Sequence, residues 1–125
     1  MLSGIVNHNR EALVRLSVLG KRGQQVELEA VVDTGYNGSL TLPSSVIAEL
    51  NLPFHKRGRA ILADGSEVLF KVYLGTVLWD GKSREITIDA ADADPLLGMD
   101  LLHGHQLWIE VVEGGEVIIR PLSLS

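Results

Sequence analysis

No stretch of this chain limits its fold more than residues 25–35. From Gln25 the sequence alternates, with Val26, Leu28, Ala30 and Val32 on one face and Gln25, Glu27 and Glu29 on the other. That two-residue period is the signature of a strand. At Ala30-Val31-Val32 both faces become apolar, so a strand that begins half-exposed is expected to end inside the protein. Its tip carries Asp33-Thr34-Gly35. A carboxylate at the end of an apolar strand is costly unless something pairs with it or uses it. Asp-Thr-Gly also makes ordinary turns, so the rest of the chain must separate a turn cap from a working acid.

The remaining segments are short and punctuated by turn residues. Gly4-Ile5-Val6 reads as a brief strand before the polar turn Asn7-His8-Asn9-Arg10. Leu13 to Leu19 alternates, and Gly20-Lys21-Arg22-Gly23 closes a hairpin onto residues 25–32. Leu40-Thr41-Leu42 is extended. Pro43 to Leu50 predicts a short helix that starts at Pro43 and its serines and stops at Asn51-Leu52-Pro53. Residues 58–73 predict a hairpin with Ala63-Asp64-Gly65-Ser66 at its tip, and 74–88 a second hairpin turning at Asp80-Gly81. Asp89 to Asp94 reads as an acidic loop, Pro95-Leu96-Leu97-Gly98 as a short buried strand, and Met99 to His103 as about one helical turn closed by Gly104. Leu107 to Val112 and Val117 to Arg120 flank Glu113-Gly114-Gly115-Glu116 as a third hairpin. The expected class is all-β, with one or two short helices in a single domain over residues 1–125.

Composition narrows the function. The net charge of -5 and only eleven scattered Lys and Arg argue against nucleic acid as a partner. The absence of Cys removes disulfides, thiolate metal sites and thiol nucleophiles. No apolar run reaches membrane-spanning length, and Met1 to Arg10 lacks the apolar core of an export signal, so a cytoplasmic location is expected. His103 and His105 suggest no third metal ligand. Asp89, Asp92 and Asp94 lack the Gly and late Glu of a calcium loop and read as a solvated turn. No metal and no cofactor is expected. Trp79 and Trp108 are expected to be core or interface rings.

The order of these parts resembles the retropepsin-like (retroviral-type) aspartic protease family, in particular its small prokaryotic single-lobe members. Val31-Val32-Asp33-Thr34-Gly35 is similar to the family's catalytic turn. The hairpin around Asp64-Gly65 is similar to its flap. Leu96-Leu97-Gly98 with Met99-Asp100-Leu101-Leu102 is similar to the apolar-apolar-Gly strand and following helix. The likeness covers roughly residues 13–110 and departs at named places. Tyr36 stands where the family often has Ala. Asn37 and Met99 replace an acid and an Arg that pair in retroviral enzymes, and the final hairpin is longer.

Peptide hydrolysis by carboxylates needs two of them, one to take a proton from water and one to give a proton to the carbonyl oxygen. Facing carboxylates share a proton and so supply both roles. The chain has one Asp-Thr-Gly, so the second acid must come from another copy across a two-fold axis. The resemblance implies a homodimeric endopeptidase acting on a polypeptide, with Asp33 catalytic. It gives Thr34 a hydrogen bond to the partner's loop, while Gly35 allows close backbone approach. Ala63, Asp64 and Gly65 would meet substrate as the flap tip, and Leu97 and Gly98 would support the catalytic loop from behind. The alternative from another class is a non-catalytic dimeric β module that binds an extended peptide or serves as an assembly domain.

Overall fold

The computed structural model describes residues 1–123. The alternating segments become the ten strands of one sheet. The first three, β1 (Leu2–Val6), β2 (Ala12–Leu19) and β3 (Gln25–Val32), form an antiparallel meander. In β2 the side chains of Ala12, Val14, Leu16 and Val18 are buried and Arg15 faces water. After β4 (Leu40–Leu42) comes helix α1 (Ser44–Leu50), which buries Ile47 and Leu50. Asn51 ends the helix in the left-handed region (φ 51, ψ 47), its N–H donating to the Ala48 carbonyl. Strands β5 (Phe54–Ile61), β6 (Glu67–Trp79) and β7 (Lys82–Ala90) are consecutive hairpins. At the second turn both Asp80 (φ 53) and Gly81 (φ 81) are left-handed, as a type I′ turn requires. Strand β8 (Leu96–Leu97), helix α2 (Met99–Leu102), β9 (His105–Ile109) and β10 (Glu116–Pro121) complete the order.

The sheet runs β5-β6-β7-β4-β8-β3-β2-β1-β10-β9, and an extra pairing of β6 with β2 closes part of it on itself. Most neighbours are antiparallel, but β3–β8 and β4–β7 are parallel. The enclosed core holds Val14, Leu16, Val18, Leu40, Leu42, Leu50, Ile88, Leu97, Leu101 and Ile119. Each such aliphatic side chain contributes about 1.5–3 kcal/mol through burial. No helix among the described residues is long and apolar enough to cross a membrane.

The structure departs from the sequence reading at several boundaries, among them the start of β5 at Phe54 rather than 58, and in one burial pattern. First, β6 is continuous from Glu67 to Trp79, where one strand is expected to end at Tyr73 and another to start at Leu74. Gly75 does not break the strand: a Cβ there would come 2.5 Å from Ile88 Cδ1, so glycine makes room for the neighbouring strand's core residue. Second, β7 continues through Asp89 and Ala90, because β4 pairs with it there, and Asp89 is therefore a strand residue. Third, β9 stops at Ile109, and Val111 and Val112 are exposed in the loop that follows. Fourth, β3 does not end fully buried. Ala30 is buried, but Val31 and Val32 are half-covered at the strand end, where the ladder with β2 stops at Val31. Of the tryptophans, Trp79 is in the core and Trp108 is half-exposed on β9.

Candidate active site

Asp33 is positioned by two pairings of β3. Val31 N–H donates to Pro95 O at 2.8 Å and Asp33 N–H to Leu97 O at 2.9 Å, so the parallel partner β8 fixes the strand up to the acid itself. The chain then turns. Tyr36 N–H donates to the Asp33 carbonyl at 3.2 Å, and Gly35 N–H donates to Asp33 Oδ1 at 2.9 Å. This is an Asx-type turn in which one carboxylate oxygen is held by its own backbone. Thr34 and Gly35 are exposed at its apex, and Asp33 is half-buried.

The returning loop is clamped against the start of α2. Met99 N–H donates to Tyr36 O at 2.8 Å, Asp100 N–H to Gly38 O at 3.1 Å, and Gly98 N–H to Ser39 O at 3.0 Å. The clamp leaves no room for a side chain at position 98. A Cβ there would lie 2.2 Å from Gly38 O, 2.5 Å from Tyr36 Cδ2 and 2.7 Å from Tyr36 O. Three side-chain bonds brace the same loop from outside it. Tyr36 OH donates to Asp89 Oδ2 at 2.5 Å, Ser39 Oγ to Asp100 Oδ2 at 2.6 Å, and Thr41 Oγ1 accepts from Leu96 N–H at 2.8 Å. Burial of the Tyr36 ring raises its phenol above the ordinary tyrosine range. The hydrogen bond to Asp89 and the negative charges of Asp89 and Asp100 raise it further. Tyr36 is therefore a fixed donor at any physiological pH.

Ala63, Asp64 and Gly65 form the exposed tip of the β5–β6 hairpin. Gly65 takes φ 85, and its N–H donates to Leu62 O at 2.9 Å. Asp64 Oδ1 accepts from Ser66 Oγ at 2.6 Å and Ser66 N–H at 2.9 Å, which holds the Asp64 carboxyl below its usual range. The structure thus gathers Asp33, Thr34, Gly35, Leu97 and Gly98 into one loop assembly and leaves Ala63, Asp64 and Gly65 at the end of a separate ribbon. A groove of about 410 Å³ is lined by Leu19, Leu52, Gly75 and Arg84 among others, and Asp33 is not part of it. One copy of the chain brings one carboxylate to this turn, on an open surface. His105 Nε2 accepts from the Trp79 indole at 3.0 Å. Among the described residues no group of three or more His, Asp or Glu converges as a metal site would.

Sequence reasoning did not connect Gly38, Ser39 or Asp89 to the assembly, and it placed Asp100 in the helix after Gly98 without a partner. Their contacts join residues 53 and 61 positions apart, and no local pattern marks them.

The predominantly β architecture with two short helices is consistent with a single-lobe retropepsin-like fold. A solved structure of a retropepsin-like aspartic protease from Rickettsia conorii matches with a TM-score of 0.55 at 16% identity, over 97% of this chain and 92% of that one. At that identity the likeness is one of fold. No family model and no curated protein matches the chain.

Proposed function

We propose that the chain is an aspartic endopeptidase that works as a homodimer, with one Asp33 from each copy forming the catalytic dyad. The observation that carries this reading is the pinned turn. Asp33 is fixed through its N–H, its carbonyl and Oδ1, while Thr34 and Gly35 stand exposed beside it, free to meet a second copy. An acid that served only as a turn cap would not need the bracing from β8, α2 and β7. In the dimer the two carboxylates share a proton. A water between them loses a proton to the ionised acid as it attacks the scissile carbonyl, and the protonated acid donates to the carbonyl oxygen. The extended substrate lies beneath the hairpins that end in Ala63, Asp64 and Gly65, pairing through its backbone. No cofactor takes part.

The test is cleavage profiling of a peptide mixture from acidic to neutral pH. Asp33→Asn is expected to abolish hydrolysis while leaving the unfolding midpoint close to wild type, because the amide is nearly isosteric but cannot act as base. Specific activity is expected to fall on dilution as dimer is lost. A folded Asp33→Asn protein with wild-type turnover would sink the assignment, and a wild-type protein that binds peptides without cleaving them would favour the non-catalytic β module.

A further inference from the structure

Strand β5 lies at one edge of the sheet, and every residue in it except Gly58 is exposed. In a chain of net charge -5, His55-Lys56-Arg57-Gly58-Arg59 is the densest run of basic residues. Arg57 stands directly opposite Lys71 on β6. Like charges directly opposite each other destabilise a sheet. Arg59 has Glu67 at 3.6 Å, but among the described residues Lys56, Arg57 and Lys71 take part in no ion pair.

The ladder also determines which backbone groups are free. Leu62 N–H donates to Ser66 O at 2.8 Å, so these two residues are a hydrogen-bonded pair. Pairs alternate along an antiparallel ladder. In the register Arg57↔Lys71, Arg59↔Leu69 and Ile61↔Glu67, these three pairs are therefore the non-hydrogen-bonded ones. The N–H and C=O groups of Arg57, Arg59 and Ile61 consequently point away from β6, to the open side. By the period of two, the side chains of these residues share one face with Lys71.

We propose that the free edge of β5 takes up an extended acidic polypeptide by strand addition. The backbone of the added strand pairs with Arg57, Arg59 and Ile61. Its acids, at alternate positions, lie on the face of Arg57, Arg59 and Lys71. The match is one of charge and of spacing, since alternate residues of any extended chain fall on one face. It does not depend on Asp33 being catalytic. Edge cations also deter self-pairing of sheets, but that role would give no preference for alternating acids. A nucleic acid would answer the charge but not the free backbone ladder.

The experiment is fluorescence anisotropy with the full chain carrying Asp33→Asn, so that the peptide stays intact. A labelled alternating Glu-Thr decapeptide is expected to bind about tenfold or more tighter than its Gln-Thr counterpart, and to weaken as salt rises. N-methylation of its alternate amides should cost a similar factor, as should the double change Arg57→Gln with Arg59→Gln. The urea midpoint of that variant checks its fold, and Lys71→Gln is a second, single-site probe. Equal affinity for the Glu and Gln peptides, indifference to N-methylation, or displacement by an oligonucleotide of equal charge at no higher concentration would each overturn the proposal.

Discussion

Replacing Gly98 by Ala tests the clamp behind the Asp33 turn most directly. Gly98 has φ -106 and ψ -179, an extended conformation open to any residue, so the substitution carries no backbone strain of its own. The whole effect is steric. The added Cβ would meet Gly38 O at 2.2 Å and Tyr36 O at 2.7 Å, and both are backbone atoms that no rotamer change can move aside. Gly38 O must retreat by roughly 1 Å, which carries it off the Asp100 N–H, and Tyr36 O likewise loses Met99 N–H. Overpacking of this kind costs about 1–3 kcal/mol, and each hydrogen bond weakened adds about 0.5–1.5 kcal/mol. A loss of about 2–6 kcal/mol is expected, lowering the urea midpoint by about 1–3 M at unchanged slope. The proper control is Gly104→Ala. There φ is 83 and no atom lies within 4 Å of the added Cβ, so conformation is penalised without a clash. If Gly98→Ala unfolds at the wild-type midpoint, or loses less than Gly104→Ala, the clamp is not a structural constraint.

Tyr36→Phe should cost about 1.5–3 kcal/mol, the range for hydrogen bonds to charged groups, because it leaves the half-buried Asp89 carboxylate without its donor. Because the folded phenol is raised, its share of stability is present below the ordinary tyrosine value of about 10 and lost as pH rises above it. The gap between wild type and Tyr36→Phe in urea titrations should therefore close in strong alkali, and a constant gap would refute the linkage. Asp92 accepts the Ser44 N–H at the start of α1 with its carboxyl held below the usual range. Its contribution is thus present above about pH 4 and lost as pH falls through the lowered folded value. Asp92→Asn should remove that acid sensitivity, seen as a wild-type-minus-variant difference that vanishes in acid. Gly65→Val, at φ 85 on an exposed turn with open space around it, should lower peptide turnover more than thermal stability. An unchanged specificity constant in the folded variant would separate this hairpin from catalysis.

The elements that the sequence disclosed were those whose signals are local. Pro43 and Asn51 bracket α1, Asp80-Gly81 and Asp64-Gly65 mark two turns, and period two gives β2 and β3. The Asp33 turn was legible because three adjacent residues carry it. Of its supports, Leu97 and Gly98 were expected from the resemblance and the others were not. The parallel pairings of β3 with β8 and β4 with β7 join segments far apart in the chain, and so do Tyr36–Asp89 and Ser39–Asp100. Alternation reports which side of a strand is apolar, not which strand lies beside it. The role of Gly75 was hidden for a related reason. Glycine can end a strand or admit a neighbour's side chain, and only the position of Ile88 distinguishes the two.

The continuity of β6 has a mechanical consequence. From Val72 to Trp79 the strand is paired to β7, and residues 76–78 are also paired to β2. From Glu67 to Lys71 its only partner among the described residues is β5. The outer hairpin is thus a cantilever rooted in the sheet: its β6 side is unbroken, while β5 carries a register shift between Phe54 and Lys56 at the root. Bending the arm against its anchor must twist β6 rather than open a loop within it. Amide hydrogens should record this as a gradient along one strand, with exchange slow at Val77, faster past Val72 and fastest toward Glu67, where a two-stranded ribbon alone resists opening.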